Sequence, residues 1–242
     1  MRISVVVPVL NDEHHLRTLL EKLASQTRQA DEIIVVDNGC TDDSAQIARS
    51  AGAKVIVERT RGIPAAASAG YDQTSAEIIV RCDADSIPPD NWLEKVHEEF
   101  AGNPAIDALT GPGYFYDLPR GLRTLGSVVY AFGYFAGLGS ALATVPLWGS
   151  NMAFRSSLWE ELSHEVCREG SAIHDDLDLS CASQGSFVLK FVPSLRVEAA
   201  GRVYARPAGL RASSKVALNT LARHGGLKGI INRWSTVLGF HP

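Results

Sequence analysis

The first 80 residues alternate short β-branched runs with helix-like segments, and this alternation limits the possible fold more than any other feature. Each run is short and apolar, as expected for a strand buried inside a sheet. The predicted strands are Ile3–Val7, Ile33–Val36, Lys54–Val57 and Ile78–Val80. This β–α–β–α–β–α–β order predicts an α/β domain with a mostly parallel, Rossmann-like sheet, right-handed crossovers and helices on both faces.

The segments between the strands have recognisable helix starts and apolar faces. Pro8 is expected to end the first strand, and Asn11 or Asp12 to cap the helix that follows it. The second helix is expected to begin at residues 41–42, and the third in the turn that contains Pro64. The first helix has the i, i+3, i+4, i+7 spacing of a buried face at Leu16, Leu19, Leu20 and Leu23.

Two carboxylates one residue apart, Asp83 and Asp85, follow the fourth predicted strand. In an open α/β sheet, ligands bind outside the carboxyl ends of the strands, so both lie where a ligand would be. Strand side chains at i and i+2 point the same way, which would bring the two negative charges together. A divalent cation offsets that repulsion, because Mg²⁺ takes one or two carboxylates plus substrate phosphates. Two solvated aspartates before a turn are the alternative.

The loops after the four strands share one chemistry, namely carboxylates, an arginine, glycines and backbone amides beside helix N-termini. They are Pro8–Glu13, Asp37–Cys40, Arg59–Gly62 and Asp83–Ser86, and we expect them to converge on one crevice. Asp37 could accept hydrogen bonds from a base or ribose, Arg61 could hold a phosphate or carbonyl, and helix N-termini favour phosphate. A nucleoside diphosphate fits this set. Neither G-x-G-x-x-G nor G-x-x-x-x-G-K-[ST] occurs where it is needed, so dinucleotide oxidoreductases and P-loop enzymes match poorly.

Composition restricts the class of protein further. The 242 residues are 45% hydrophobic and 21% charged, which is ordinary for a soluble globular protein. The four cysteines, at positions 40, 82, 167 and 181, lack the spacing of a zinc site, so we expect reduced thiols in a cytoplasmic protein. Because Met1 leads directly into the first strand, we expect no signal peptide.

Several motifs, taken together and in order, resemble those of family 2 glycosyltransferases, which have the GT-A fold. The nucleotide-side motifs are VVVPVLNDE at 5–13, IIVVDNGCTDDS at 33–44, Arg61-Gly62 with residues 67–70, and Asp83-Ala84-Asp85. Farther on, Gly149–Arg155 resembles the family's acceptor-side strand, and His174–Leu179 resembles its acidic catalytic motif. The resemblance extends over residues 1–200 and implies the GT-A fold for this part of the chain.

The resemblance also implies an activity: metal-dependent, inverting transfer of a sugar from a nucleotide-diphosphate sugar to an acceptor hydroxyl, with Mg²⁺ or Mn²⁺ as cofactor. It implies that Asp37 holds the base and that Arg61 reaches the base or the phosphates. Asp83 would contact the ribose or the metal, and Asp85 the metal. The other donor-site residues that it implies are Pro8, Asn11, Glu13 and Ala84.

An attacking hydroxyl must lose its proton, so a carboxylate is needed within hydrogen-bond reach. Asp176 is the first candidate for this base and Asp175 the second, both at the start of a predicted helix. The alternative is that Asp175, Asp176 and Asp178 only complement the helix N-terminus. The Q-x-x-R-W motif of processive family members is absent, which favours transfer of a single sugar. Some relatives have a histidine metal ligand after the acidic motif, but His224 is too far along the chain for us to assign it that role.

Leu125–Val145 contains no charged residue and is long enough to span a membrane. Its glycines and the following Pro146 disfavour an isolated soluble helix. We expect an apolar helix near the acceptor entrance, packed on the domain or lying in a lipid interface, and a buried core or dimer helix is the alternative. A membrane span would separate Asp176 from Asp85, which a shared active site forbids.

The tail after Glu198 contains no acidic residue. Its basic residues are Arg202, Arg206, Arg211, Lys215, Arg223, Lys228 and Arg233. Residues 1–198 keep 16 basic residues against 27 acidic ones, so this acidic body carries a net charge of about −11. The tail also repeats apolar residues at helical spacing, which suits an anionic membrane surface or packing on the domain. These residues are Leu227, Ile230, Ile231, Trp234 and Leu238.

These patterns predict a nucleotide-sugar-binding half at 1–110, an acceptor-binding and catalytic half of the same GT-A domain at 111–200, and a basic amphipathic tail at 201–242. The expected partners are a nucleotide-sugar donor, a sugar or lipid-linked acceptor and an anionic membrane surface, with no nucleic acid and with oligomers allowed. The expected location is cytoplasmic, at the inner face of the cell membrane. Two other functions stay open: a sugar nucleotidyltransferase, whose usual glycine-rich basic loop Pro8–Glu13 does not provide, and a non-catalytic nucleotide-sugar-binding module.

Overall fold

The computed structural model describes residues 1–119, 121, 123–170, 172–201 and 207–240. The strands in these ranges are β1 (Ile3–Val9), β2 (Glu32–Asp37), β3 (Lys54–Val57), β4 (Ile78–Arg81), β5 (Ala108–Thr110), β6 (Gly113–Phe115), β7 (Met152–Arg155), β8 (Leu189–Phe191) and β9 (Val197–Ala199). The helices are α1 (Glu13–Ala24), α2 (Ser44–Ser50), α3 (Ile63–Asp72), α4 (Trp92–Gly102), α5 (Arg123–Ala131), α6 (Gly139–Leu142), α7 (Ser156–Leu162), α8 (Asp175–Ala182), α9 (Pro207–Arg223) and α10 (Gly226–Val237). A π-helical segment, Phe132–Leu138, joins α5 to α6.

A seven-stranded sheet forms the centre, in the order β3-β2-β1-β4-β7-β5-β8. β1 runs parallel to β2 and β4, and β2 runs parallel to β3. β7 is antiparallel to both β4 and β5, whereas β5 and β8 are parallel. β6 and β9 form a separate parallel pair. The predicted α/β class with a mostly parallel sheet is therefore confirmed.

Alternate side chains of each central strand enter two different cores, one on each face of the sheet. Val5 and Val7 of β1 belong to the core that contains Leu16, Leu19, Leu20 and Leu23 of α1, the predicted apolar face. Val6 belongs to the opposite core, with Tyr71 of α3. There α3 lies so close to the sheet that a Cβ at Gly70 would overlap Val6. The sheet is therefore covered on both faces, and its ligand-binding groups must lie along an edge.

The expectation that Pro8 ends the first strand is wrong, because β1 continues to Val9. Pro8 stands opposite Val36 in the register with β2. Val9 bonds toward β2, through its carbonyl and the Asn38 amide, so the nitrogen of Pro8 faces β4. β4 has already ended at Arg81, which pairs with Val6. The missing N–H of Pro8 thus removes no ladder hydrogen bond.

The second helix begins at Ser44, later than the sequence suggested. The carboxylate of Asp42 accepts hydrogen bonds from the amides of both Glu13 and Ser44, at 3.1 Å each. Thr41 donates its amide to Asn11, which has a left-handed φ of 52°. These residues therefore link two loops and stay outside the helix, which is why it starts two to three residues later than expected.

The apolar segment from Arg123 to Leu142 is helical throughout and lies mostly on the surface. It is long and apolar enough to cross a membrane, by length and composition, and 11% of its most apolar stretch is buried. Val129 and Phe132 are 62% and 74% exposed. The alternative of a buried core helix is therefore wrong. One side of the segment touches the domain through Tyr134, whose hydroxyl donates to the Leu147 carbonyl at 2.6 Å.

Candidate active site

The loops at the carboxyl ends of β1, β2 and β3 are hydrogen-bonded to one another. Asn11 accepts the Thr41 amide at 2.7 Å through its side-chain oxygen. Asn38, buried after β2, donates to the Thr60 carbonyl at 2.8 Å and accepts the Gly62 amide at 2.9 Å. As these bonds join three loops, the edge keeps its shape through the chain's own contacts.

Two predicted donor-site residues, Asp37 and Arg61, lie at this edge. Asp37 is the last residue of β2, and its Oδ1 accepts the amides of Gly39 and Cys40 at 3.1 and 2.7 Å. The exposed side chain of Arg61 lies beside Gly39. The φ of Gly39 is +86°, a conformation that glycine adopts without steric cost. The turn therefore orients Asp37 and leaves room for Arg61 above it.

The other predicted donor-site residues have clear structural contacts. Pro8 is half-buried in β1, and Asn11 bonds the neighbouring loop as described above. Glu13, at the start of α1, accepts the Asp43 amide at 2.9 Å through its carboxylate. The methyl group of Ala84 is packed into the core, so this residue could meet a donor only through its backbone.

A buried arginine, which the sequence analysis missed, lies beneath the Asp-x-Asp turn. Arg81 is the last residue of β4 and is only 2% exposed. Its Nη2 donates to Asp83 at 2.8 Å, and its Nη1 lies 3.1 Å from Asp175. It thereby joins the end of β4 to the start of α8. The available signal was a single arginine closing an otherwise apolar strand, two residues before Asp83.

The charges of this cluster influence one another strongly. Burial raises the pKa of Asp175 to about 6, although the Arg81 guanidinium acts in the opposite direction. Burial acts to lower the pKa of Arg81, but the carboxylates of Asp175 and Asp83 raise it well above its usual value. The guanidinium therefore stays charged, and Asp175 is its buried counter-ion.

Asp176, the next residue, faces the loop before β7. Its Oδ2 accepts the Gly149 amide at 2.8 Å and lies 3.4 Å from the Tyr134 hydroxyl. A Cβ at Gly149 would overlap the guanidinium of Arg81, so only glycine lets this loop lie over the arginine. The motif around Gly149 thus brings the acceptor-side strand, the acidic helix and the apolar segment to one carboxylate.

The Asp-x-Asp turn differs from the sequence expectation, because its side chains do not continue the alternation of a strand. β4 ends at Arg81, and a turn closes from the Ser86 amide to the Asp83 carbonyl at 3.0 Å. The carboxylate of Asp83 is held by Arg81 and, at 2.5 Å, by the Ser150 hydroxyl. Arg81 therefore offsets part of the negative charge of Asp83.

Asp85 lies half-buried in the same turn, and its carbonyl accepts the Tyr116 hydroxyl at 3.3 Å. Among the residues that the structure describes, no group of three or more histidine, cysteine or acidic side chains is arranged to hold a metal. The oxygen donors present suit a hard cation that one or two carboxylates bind and that substrate phosphates complete. The residues therefore fit Mg²⁺ or Mn²⁺ bound together with a diphosphate.

The tail returns to the acidic motif, which its distance along the chain did not suggest. Asp178 is fully buried in α8, and its carboxylate lies 2.7 Å from Nε2 of His224 and 3.3 Å from Nε of Arg223. At the other end of the motif, the His174 amide donates to the Thr220 hydroxyl at 3.0 Å. Helix α9 therefore holds both ends of the motif, and His224 is a partner of Asp178.

A mostly parallel sheet with two acidic motifs meeting at one edge defines a GT-A fold. Solved structures of this kind include glucosyl-3-phosphoglycerate synthase from Mycobacterium tuberculosis, with a TM-score of 0.69 and 23% identity. The likeness covers 93% of this chain and 80% of that one. A mycobacterial protein gives a TM-score of 0.70, also at 23% identity, over 93% of this chain and 75% of its own.

Residues 4–161 match the family model described as glycosyl transferase family 2, so this chain belongs to that family. Glycosyltransferase AglE of Haloferax volcanii is 31% identical over 127 residues, which are 49% of this chain and 41% of that protein. The undecaprenyl-phosphate 4-deoxy-4-formamido-L-arabinose transferase of Serratia proteamaculans is 36% identical over 111 residues, 40% of this chain and 34% of its own. The chain thus spans less than half the length of these curated relatives.

Proposed function

We propose that this chain transfers a single sugar, with inversion, from a nucleotide-diphosphate sugar to an acceptor in a reaction that depends on Mg²⁺ or Mn²⁺. The observation that carries the proposal is the Arg81 cluster, which brings the Asp83–Asp85 turn and the Asp175–Asp176 pair to one edge. Membership of the family favours glycosyl transfer over nucleotidyl transfer. The synthase structure named above was solved with Mn²⁺ and UDP-glucose, which supports this donor class.

The donor would lie across the loops after β1 to β4. Asp37 would bind the base, Arg61 the base or the phosphates, and Asp83 the ribose. A bound Mg²⁺ or Mn²⁺ would be held by Asp85 with Asp83 beside it, and would supply Lewis-acid stabilisation of the charge on the leaving diphosphate. Because hydrogen bonds between the loops already fix this edge, little ordering is needed when the donor binds.

Asp176 would accept the proton of the attacking hydroxyl as the new bond to the sugar forms and the bond to the diphosphate breaks. Its hydrogen bond from the Gly149 amide orients the carboxylate, and the Tyr134 hydroxyl lies 3.4 Å from the same oxygen, Oδ2. Asp175 is less suited to this role, because Arg81 holds it as a counter-ion. Asp175 would thus have a structural role, and Asp176 would take part in the chemical step.

The acceptor would be lipid-linked, and the protein would work at the inner face of a membrane. A curated relative is named for undecaprenyl phosphate. Exposed apolar residues on α5 and α10, such as Val129 and Ile231, would lie in a lipid interface, since isolated soluble domains rarely leave large apolar patches exposed. Cations on the tail would add attraction to anionic lipid.

A thermal-shift panel of nucleoside diphosphates and nucleotide sugars, with and without Mg²⁺ or Mn²⁺, tests the donor class. A ligand that binds only the folded state raises the melting temperature by mass action. We expect a metal-dependent shift that Asp85→Ala abolishes while the fold survives. The matched control is Asp90→Ala. Asp90 pairs with Lys22 in the last turn of α1, whereas the donor-site residue Glu13 lies in its first turn.

An Asp85→Ala protein that binds nucleotide and metal like the parent would contradict the metal assignment. A parent protein that responds to no nucleotide with either metal would contradict the proposed function itself. The Asp90→Ala control must keep the parent's response, which shows that loss at Asp85 is specific to that carboxylate.

A further inference from the structure

An uncharged cleft lies between the apolar segment and the tail. It has a volume of about 450 Å³, within the range of small-molecule pockets. Its walls include Phe135, Ala136, Ala143, Pro146, Phe191 and Trp234. Its polar side chains are Ser140 and Thr144. A sugar in this cleft would leave most of its hydroxyl groups without partners, which costs free energy, whereas a hydrocarbon chain would not.

The backbone around the cleft departs from regular geometry on two sides. The wall that carries Phe135 is the π-helical segment, a rare form that is frequent at functional sites. Ala143, in the facing loop, has a left-handed φ of +56°. Such a conformation is unfavourable for a residue other than glycine and persists where the surroundings impose it. Two separate irregularities thus shape the same cleft.

One wall residue of the cleft is the chain neighbour of a residue that contacts the candidate base. Tyr134 lies 3.4 Å from Asp176, whereas the next residue, Phe135, packs on Phe191 inside the cleft with ring centroids 4.6 Å apart. On the outer side, Trp234 of α10 donates its indole N–H to the Ser140 carbonyl at 2.7 Å. The tail helix therefore forms one wall of the cleft.

We propose that this cleft binds the hydrocarbon chain of an isoprenoid-linked acceptor whose polar end presents the attacking hydroxyl to Asp176. The inference rests on the proposed function and adds the place where the acceptor's apolar part lies. Three observations favour this occupant: the uncharged walls, the position of Phe135 directly after Tyr134, which contacts Asp176, and the exposed apolar surface at Phe132 and Ile231 on the two segments that flank the cleft. The polar end of the acceptor would then reach Asp176 while its hydrocarbon part stays in the cleft.

Tryptophan fluorescence can report this binding without any activity measurement. Trp234 is 40% exposed, whereas Trp92, Trp148 and Trp159 are at most 5% exposed. Farnesyl phosphate, kept below its micelle concentration, is expected to change the emission of the parent saturably. Inorganic phosphate should cause no change. The response should disappear in Trp234→Phe, which removes the exposed reporter and keeps an aromatic wall.

A matched pair of variants locates the binding. Ala136→Leu fills the cleft and should weaken farnesyl phosphate binding about tenfold. Gly133→Leu adds a side chain on the same segment, where a Cβ meets nothing within 4 Å, and should leave binding unchanged. Nucleotide-dependent thermal shifts should be equal in both variants, which separates failure of the cleft from failure of the donor site.

Three results would overturn the proposal. Equal farnesyl phosphate binding by the two leucine variants would place the chain elsewhere. A response to neutral vesicles with none to farnesyl phosphate would assign the surface to bulk lipid. A dimer in sedimentation equilibrium that Ala136→Leu dissociates would show that a second copy fills the cleft.

Discussion

The strand-end edge and the apolar surface of this protein are built in opposite ways. At the edge, charged and polar groups lie against one another: Arg81 is 2% exposed between two carboxylates, and Asn38 joins adjacent loops. On the apolar surface, Phe132 is 74% exposed, and the α10 contact is anchored by polar bonds such as that from Trp234 to Ser140. The buried charge at the edge has its counter-charges within the chain, whereas the apolar surface can be buried only against an external partner.

This difference separates the consequences of mutation. A change at the edge alters buried charges, so it should affect folding or chemistry in dilute solution. A change on the apolar surface should leave folding nearly intact, because few contacts within the chain depend on it, and should alter binding to lipid. Substitutions in the two regions test this difference, and those at the edge are expected to have the larger effects.

Arg81→Leu should have the largest effect on stability. The substitution leaves Asp175 buried without its cation, and removing one partner of a buried ion pair costs about 3–5 kcal/mol. Urea unfolding measures the loss. The double variant Arg81→Leu/Asp175→Asn should recover part of it, since the unpaired charge is then gone. An equally unstable double variant would show that Asp175 is not the partner that matters.

Asp176→Asn should reduce turnover about a hundredfold or more, the scale for loss of a general base. The amide keeps the shape of the side chain but cannot take the acceptor's proton, so donor affinity should change little. Single-turnover kinetics and donor binding measure the two quantities separately. A comparable loss of donor affinity would assign Asp176 to the nucleotide or metal, and an unchanged rate would move the base to Asp175.

The raised pKa of Asp175 should make this residue's contribution to stability depend on pH. Its ordinary value is 3.8 and burial raises it to about 6 in the folded protein, so folding favours the protonated form. The contribution is fully present below pH 3.8 and is lost as the pH rises through 6, a change of about 3 kcal/mol. The difference in unfolding free energy between the parent and Asp175→Asn isolates it. A parent that instead gains relative stability with rising pH would show that pairing with Arg81 outweighs burial.

Substitutions of tail cations should have the smallest effect, a loss of lipid binding. The structure shows which of these cations are free to be substituted. Arg233 is buried and bonds the His224 carbonyl at 3.2 Å, and Arg223 pairs with Asp178. Arg202 and Arg206 lie outside the described residues. Lys215 and Lys228 are exposed on α9 and α10. Each could contribute on the order of 1 kcal/mol to binding anionic lipid, an attraction that salt screens.

Sedimentation with anionic vesicles at low salt tests this contribution. The double variant Lys215→Glu/Lys228→Glu should release the protein, whereas Arg17→Glu/Arg49→Glu, with the same net charge but changes on α1 and α2, should not. Equal sedimentation with neutral vesicles would identify apolar insertion as the main force. A fully active protein that sediments with neither kind of vesicle would remove the membrane proposal.

The strands β1 to β4, which form the parallel part of the sheet, and the order of the motifs along the chain could be predicted from the sequence. These features depend on local periodicity, because a short β-branched run and an apolar helical stripe such as Leu16–Leu23 have the same meaning wherever they occur. The position of Asp83 and Asp176 after or before such elements follows from the same local patterns. Even the error at Pro8 was local, and it arose because β4 ends before the proline needs a partner.

Only the tertiary structure decided which charges pair and which apolar face stays exposed. Arg81 and Asp175, like Asp178 and His224, come from distant parts of the chain, and no spacing rule connects them. Hydrophobicity alone could not tell whether the segment around Phe132 enters the core or faces outward, since both surroundings favour the same residues. Pairing and exposure depend on how separate elements pack, and that information is absent from any single stretch of sequence.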